Sequence, residues 1–346
     1  MNKRTFIIVD THNLFHRAKY STRGDVDMKI GMAFHIMFMS LRKMWKQFEG
    51  THILFANEGR SWRYDANSAY KANRKVARVA KSIPEQEEDE IMFEALNDLV
   101  AYLDTKTNSS LIQCPVAEAD DVIALWCQSH PDDDHIIISS DSDFVQLLDD
   151  NVSIYDGVME RLLKKDGVYD KNGKKVEFII KSDSKIKTGA INPNFFHERD
   201  DWMKYSLFIK CIRGDKSDNV FPAYPGARLK GTKNKIGINE AYDDRESQGW
   251  DYNNFMLQKW VDIDGKEVRV KDKYDANKLL IDLTRIPRDV QEAVIESIVE
   301  GTTRDPIPQV GVHFLKFCAK WDLQKLSQYP NDFAQMLNAK YDSTGV

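Results

Sequence analysis

The chain has few cysteines, and none is paired in sequence. Cys114, Cys127, Cys211 and Cys318 are the only four in 346 residues, with no Cys-x-x-Cys among them. That excludes a thiolate metal knuckle and a disulfide framework, and points to free thiols in a reducing compartment. The eight histidines also lack metal spacing: His12 and His16 are four apart, but no His-Glu-x-x-His pattern accompanies them. No apolar run is long enough to span a bilayer. Met1-Asn2-Lys3-Arg4 leads straight into a strand-like stretch, so neither a signal peptide nor a membrane contact is expected. Internal repeats and low-complexity tracts are missing too. Nor is there an excess of positive charge. The formal net charge is -5, so any affinity for nucleic acid has to come from local clusters. What remains is a soluble, cytoplasmic protein, monomeric by default. Its 42% hydrophobic content is enough for one large core or two smaller ones.

What is there centres on His135–Leu148. Three isoleucines run into Ser139-Ser140-Asp141-Ser142-Asp143, and Phe144 onward reads as the start of a helix. A continuous apolar run bounded by turn residues is how a buried parallel strand appears. Asp141 and Asp143 then sit at its carboxyl end, where open α/β sheets place ligands. Similar strands are expected at Phe6–Asp10, His52–Asn57, Leu111–Pro115 and Val152–Tyr155. Helices are expected over 27–48, Glu85–Leu103, from Ala117 and over Asp201–Ile212. The alternation predicts an α/β fold, a mostly parallel sheet covered on both faces. Beyond residue 157 the pattern turns helical and irregular, with hairpin turns near Asn172-Gly173 and Asp264-Gly265.

Positive charge is concentrated in a few places. Arg60, Arg63, Lys71, Arg74, Lys75, Arg78 and Lys81 are interleaved with Trp62, Tyr64 and Tyr70. Runs of like charge are usually solvated faces, yet aromatics between cations also suit nucleic acid, since bases stack while phosphates pair. A second cluster includes Lys164, Lys165, Lys181, Lys185 and Lys187, and a third is Lys230, Lys233 and Lys235.

The acids are more telling. Asp10, Glu58, Glu118, Asp120, Asp121, Asp141, Asp143, Asp215 and Asp218 mostly lie just past a strand or at a helix start. The α/β reading brings them to one rim of the sheet. Each alone could be a helix cap. Together, as bare anions, they would raise each other's pKa. Divalent cations resolve the repulsion, and Mg²⁺ takes hard oxygen ligands while keeping several waters. Two such ions, about 4 Å apart, activate water and stabilise the leaving oxygen of a phosphodiester. A metal-dependent phosphodiesterase follows from these residue types.

The order of these motifs resembles the phage branch of the 5′-nuclease family, the flap endonuclease and 5′–3′ exonuclease group. Within it, the chain is most similar to the ribonuclease H proteins of T-even-like phages. The resemblance is carried by Ile8-Val9-Asp10, by Arg60-Ser61-Trp62-Arg63, and by Tyr70-Lys71-Ala72-Asn73-Arg74. It continues through Glu118-Ala119-Asp120-Asp121, Ser140-Asp141-Ser142-Asp143-Phe144 and Gly214-Asp215-Lys216-Ser217-Asp218-Asn219. It implies a PIN-like catalytic core over residues 1–160, with a helical arch or clamp at about 76–105. A mainly helical DNA-binding region over 161–346 would follow, helix-turn-helix-like at about 200–250, completing the active site. By the same resemblance, Glu118, Asp121, Asp141 and Asp143 form a first metal site near Asp10, and Asp215 and Asp218 complete a second. Lys71 and Arg74 match the basic pair at the reacting phosphate. Two Mg²⁺ ions, replaceable by Mn²⁺, would serve hydrolysis from 5′ ends of DNA and RNA–DNA duplexes and of flaps. RNase H-type primer removal in phage DNA replication, beside a sliding clamp and a single-strand-binding protein, is the implied setting. The chain departs from the family in two places. Asn57-Glu58 stands where many members end the second strand in Asp, so either residue could take that ligand position. Pro222–Lys235 is basic but lacks the glycine pattern that holds K⁺ in relatives.

Three rivals differ in what they require. An aspartyl-phosphate enzyme wants Asp two residues after Asp10, where this chain has His12. A small four-carboxylate PIN-type endoribonuclease explains Asp10 and Asp141 but leaves 160–340 unused. A non-catalytic DNA-binding replication scaffold predicts binding indifferent to Mg²⁺.

Overall fold

The computed structural model describes residues 3–21, 24–157, 159–176, 199–262 and 265–342. Its central sheet contains β1 (Thr5–Asp10), β2 (His52–Asn57), β3 (Ser110–Gln113), β4 (Asp134–Ile138), β5 (Val152–Asp156), β6 (Arg161–Lys164) and β7 (Gly167–Tyr169). The spatial order is β3-β2-β1-β4-β5-β6-β7. The first five strands run parallel and the last two antiparallel. The α/β expectation is thus met. Phe6, Ile7, Ile8 and Val9 are fully buried because helices cover both faces of β1. From β1 the chain crosses to β2 on one side, while β4 lies on the other. The carboxyl ends of β1 and β4 therefore form the switch point where such sheets bind ligands.

Two departures from the sequence reading concern the region after β4. The expected helix from Phe144 is a six-residue 3₁₀ turn, Ser142–Leu147. The stretch beyond 157, read as helical and irregular, first adds β6 and β7 to the sheet. Gly167 takes φ 146°, which opens β7 straight after the Lys165-Asp166 turn. The Asn172-Gly173 turn is present, with the Gly173 N–H donating to Asp170 O at 3.0 Å. Lys181, Lys185 and Lys187 of the second basic cluster lie outside the described residues.

In chain order the helices begin with α1 (Thr11–Ser21), α2 (Val26–Gln47), α3 (Arg63–Ala66), α4 (Ala72–Val79), α5 (Ile83–Lys106), α6 (Ala119–Ser129) and α7 (Trp202–Arg213). They continue with α8 (Ile238–Asp243), α9 (Trp250–Met256), α10 (Val270–Ile281), α11 (Arg288–Thr302), α12 (Val310–Lys320), α13 (Gln324–Ser327) and α14 (Pro330–Leu337). Among the described residues, no helix is long and apolar enough to cross a membrane.

The contacts divide the chain into two compact units. The first joins Met1–Trp62, Lys81–Val176 and Pro287–Val346; the second joins Arg63–Ala80 with Glu177–Ile286. These units are drawn differently from a boundary near 160. The last 60 residues belong with the sheet because their apolar faces have their partners there. In the first unit, α2 starts at Asp25, whose carboxylate accepts the Met28 N–H at 2.9 Å. Its buried stripe of Ile30, Phe34, Met37, Phe38 and Leu41 follows helical spacing. Phe38 meets Phe314 of α12 and Phe333 of α14 edge-on at 5.5 and 5.9 Å. Helix α11 covers the edge strand β3, where a Cβ on Gly301 would come within 2.2 Å of Ile112. In the second unit, α7 packs on α10. There Asn277 Nδ2 donates both to Cys211 O (2.9 Å) and to Phe221 O (2.8 Å), tying the end of α7 to the return of the loop that follows.

Candidate active site

In the first unit the acids gather at the carboxyl rim. Asp10 ends β1 and is 3% exposed. It accepts hydrogen bonds from the Asn13 N–H (3.2 Å) and from the Ser139 hydroxyl (3.1 Å). The second bond follows from register: Val9 pairs with Ile138, so the next residues on each strand come side by side. Burial first, then the charges of Glu58 and Asp141, push the Asp10 carboxyl up to about 8. Its ordinary value is 3.8. Asp141 accepts the Asp143 N–H at 3.0 Å, which fixes the turn carrying both. The rigidity comes from a short Asp-capped turn rather than from a long helix.

Glu118 and Asp121 open α6 in a reciprocal capping box. The Ser61 hydroxyl donates to Glu118 Oε2 (2.8 Å), and Trp62 Nε1 donates to Asp121 Oδ2 (3.2 Å). Asp120, half-buried, is the second residue of the same helix, in its first turn. Glu58 reaches this helix as well, accepting the Ala119 N–H at 3.2 Å. The approach depends on Gly59, where a Cβ would sit 1.9 Å from Cys114 O. Asn57 is buried, and its Nδ2 donates to Gln113 Oε1 at 3.2 Å. Of the two candidates at the end of β2, Glu58 is thus the one that brings charge to Asp10. Burial pushes the nearby His12 imidazole down to about 4, so it is neutral at physiological pH and offsets none of the negative charge.

In the second unit, Asp215 and Asp218 lie on the loop after α7. Gly214 takes φ 72°, and a Cβ there would meet Val220 O at 2.2 Å, so only glycine fits the turn. The Lys210 ammonium lies 2.7 Å from Asp215 Oδ2, and the Ser217 N–H donates to Oδ1 at 2.7 Å. Burial alone would raise the Asp215 pKa; Lys210 and Ser217 outweigh it and hold the carboxyl below its usual range. Asp218 accepts from the Tyr70 hydroxyl (3.0 Å) and from Arg74 Nη2 (2.6 Å), and Lys71 Nζ stands 3.9 Å away. Lys75 and Arg78 lie on α4, of which no residue is buried. Lys230, Lys233 and Lys235 are exposed around a tight turn whose base is closed by Glu240, which accepts from the Gly231 and Gly237 N–H groups.

Two of the expected nucleic-acid contacts are corrected. Arg63 is 2% exposed and its Nε donates to Leu280 O at 2.8 Å, so its guanidinium is internal and does not face a phosphate backbone. Tyr70 is 3% exposed, and its hydroxyl orients Asp218 rather than its ring offering a face to bases. Trp62, at 6%, is likewise interior; of the interleaved aromatics, Tyr64 remains exposed. Arg63→Ala is expected to cost about 2 kcal/mol of folding stability through a lost charge-assisted bond. Thermal denaturation would register it, while duplex affinity at permissive temperature stays unchanged. Sequence reasoning also passed over Ser61, Asn13, Ser139 and Lys210, which orient the acids. Their signal was position: each lies next to, or five or fewer residues from, an acid of the set.

The donor set suits a hard divalent cation. It is made of carboxylate oxygens, and burial, then the charges of Glu58 and Asp141, raise the pKa of the Asp10 carboxyl, which a cation would lower. In the first unit the acids whose charges meet at Asp10 are Glu58 and Asp141.

Residues 5–173 match the family model of the 5′–3′ exonuclease N-terminal, resolvase-like domain. The chain is similar to a 5′–3′ exonuclease of Mycoplasmopsis pulmonis, 26% identical over 327 residues, covering 88% of this chain and 93% of that protein. It is also similar to DNA polymerase I of Rhizobium leguminosarum, 26% identical over 240 residues, covering 69% of this chain and 18% of that one. Two solved structures share its fold with a TM-score of 0.57 at 20% identity, covering 86% of this chain and 99% of theirs. They are the bacteriophage T5 flap endonuclease in a pseudo-enzyme–product complex with DNA and metal ions, and T5 5′-exonuclease with bound divalent zinc. The parallel sheet and the matched family model agree: residues 5–173 of this chain form a 5′–3′ exonuclease N-terminal, resolvase-like domain.

Proposed function

We propose that the chain is a Mg²⁺-dependent nuclease that hydrolyses phosphodiester bonds from the 5′ ends of DNA strands in duplexes and flaps. The observation that carries this is Asp10, 3% exposed at the end of β1 with the acids Glu58 and Asp141 beside it; burial first, then those two charges, raise the pKa of its carboxyl. A cluster so crowded is costly as a structural feature and useful as a cation site. Glu58, Glu118, Asp121, Asp141 and Asp143 hold one ion with Asp10, and Asp215 and Asp218 serve a second; Mn²⁺ substitutes. When bound, the ions lower the pKa of a water and take up charge on the leaving oxygen. The chain's own residues do the rest. Ser139, Ser61 and Trp62 aim the carboxylates through the bonds described above. Lys71 and Arg74 grip the reacting phosphate. Arg60, Lys75, Lys230, Lys233 and Lys235 give diffuse backbone contacts. Residues at about 76–105 serve as the arch for a single-stranded 5′ end.

The same chemistry acts on RNA of RNA–DNA duplexes. Primer removal in phage DNA replication, beside a sliding clamp and a single-strand-binding protein in the host cytoplasm, is the setting proposed. The deciding experiment is digestion of 5′-labelled flap, nicked and RNA-primed duplexes with Mg²⁺, with EDTA as control. Short labelled products that vanish with EDTA are expected. Binding without cleavage, the same with and without Mg²⁺, would leave the scaffold reading in its place.

A further inference from the structure

Within the second unit, two segments far apart in sequence are fastened together, in addition to the Tyr70 and Arg74 bonds to Asp218, by hydrogen bonds to main-chain carbonyls. One, residues 69–74, carries Lys71 and Arg74; the other, residues 215–219, carries Asp215 and Asp218. The Lys71 N–H donates to Asp218 O at 2.8 Å. Asn73 Nδ2 donates to Lys216 O at 2.9 Å, and Asn219 Nδ2 donates to Ala69 O at 2.7 Å. Both amides thus donate to main-chain carbonyls. Neither brings charge to a metal or to a phosphate. Asn219 also takes φ 58°, a left-handed conformation that asparagine tolerates better than most residues, and this turns its amide toward Ala69. Lys71 is itself left-handed, at φ 53°, so its side-chain direction depends on how the main chain is held.

We propose that Asn73 and Asn219 are positioning residues: they fix the cations of one segment against the acids of the other, so that phosphate and metal meet in one preformed arrangement. The proposal rests on the nuclease reading above. Catalytic groups need placement to about 0.5 Å, and two side-chain staples plus one backbone bond supply it without touching substrate.

Asn219→Asp is the sharpest test. It keeps size and left-handed tolerance but turns a donor into an acceptor facing the Ala69 carbonyl. Turnover should fall about 30- to 100-fold, the scale of a 1 Å misplacement, with KM and duplex Kd within about threefold. Because Asn219 acts through Lys71, the double variant with Lys71→Ala should be no slower than Lys71→Ala alone. A purely structural asparagine would give additive losses instead. Asn73→Ala, at a half-buried position, should repeat the pattern and serves in place of Asn219→Asp if that variant unfolds. Wild-type turnover in both variants, a loss confined to KM, or additivity with Lys71→Ala overturns the proposal. A wild-type chain that cleaves nothing overturns the nuclease reading, and this inference with it.

Discussion

Asp10→Asn is expected to remove strand cleavage and, without divalent ions, to raise the thermal midpoint at pH 8. The loss of turnover should be on the order of 10³-fold, as for other groups that act where charge develops in the transition state. The gain in stability follows from linkage. Asp10 has its carboxyl raised from 3.8 to about 8 on folding, by burial first and by Glu58 and Asp141 next. Below pH 3.8 both states are protonated and the group imposes no cost. As pH rises from there toward 8, the unfolded chain ionises while the folded one keeps its proton, so stability falls across that window. Asparagine cannot ionise, so its variant lacks that part of the slope. At pH 8 in EDTA the midpoint should rise by about 3–6 °C, and at pH 5 by much less. Mg²⁺ reverses the order, since wild type gains binding energy that the variant has lost. Melting curves at the two pH values, each with and without Mg²⁺, test all of this. Equal midpoints for both proteins throughout would mean that Asp10 carries no burial cost.

Lys71→Ala is expected to slow hydrolysis by about 10²–10³-fold while duplex affinity changes less than about threefold. The difference comes from placement. The Lys71 side chain is only 10% exposed and stands 3.9 Å from Asp218, whereas Arg74, beside the same acid, is 57% exposed. Its ammonium also lies 5.0 Å from the Tyr70 ring centroid. A largely enclosed charge beside Asp218 is aimed at one phosphate; it adds little to the many contacts that hold a duplex. Alanine carries the same left-handed penalty as lysine, so the main chain at this position should be nearly indifferent to the change. Single-turnover rates on 5′-labelled flaps, set beside equilibrium binding at two salt concentrations, separate the effects. Equal losses in rate and affinity, with a shallower salt slope, would make Lys71 an ordinary backbone contact.

Most of the acidic rim could be read without coordinates. Apolar strands ending in Asp10, Asn57 or Ser139 point to a parallel sheet, and such a sheet puts its ligands at those ends. The basic stretch after Arg60 could be read only in part. Arg63 and Tyr70 share the composition of a nucleic-acid surface, yet both are interior. Arg63 donates to a carbonyl at Leu280, and nothing local foretells a partner so distant in sequence. β6 and β7 were missed because four- and three-residue strands are too short for a period of two to stand out. Pro287–Val346 showed helices but not their address. Phe314 and Phe333 are apolar at helical spacing whichever core they join, and the choice of α2 is a matter of shape.

Residue order alone therefore pointed to the fold class and to acids at the strand ends. Those depend on local patterns: strand hydrophobicity, turn residues and acids at strand ends. The tertiary structure decided which charges are available and which are spent. It turned Arg63 inward and gave Glu58 rather than Asn57 the charge beside Asp10. It also fastened the Lys71 segment to the Asp218 loop through Asn73 and Asn219, which lie inside the quoted motifs but had no role there. Burial and pairing depend on neighbours brought in from elsewhere in the chain, and a linear pattern does not contain them.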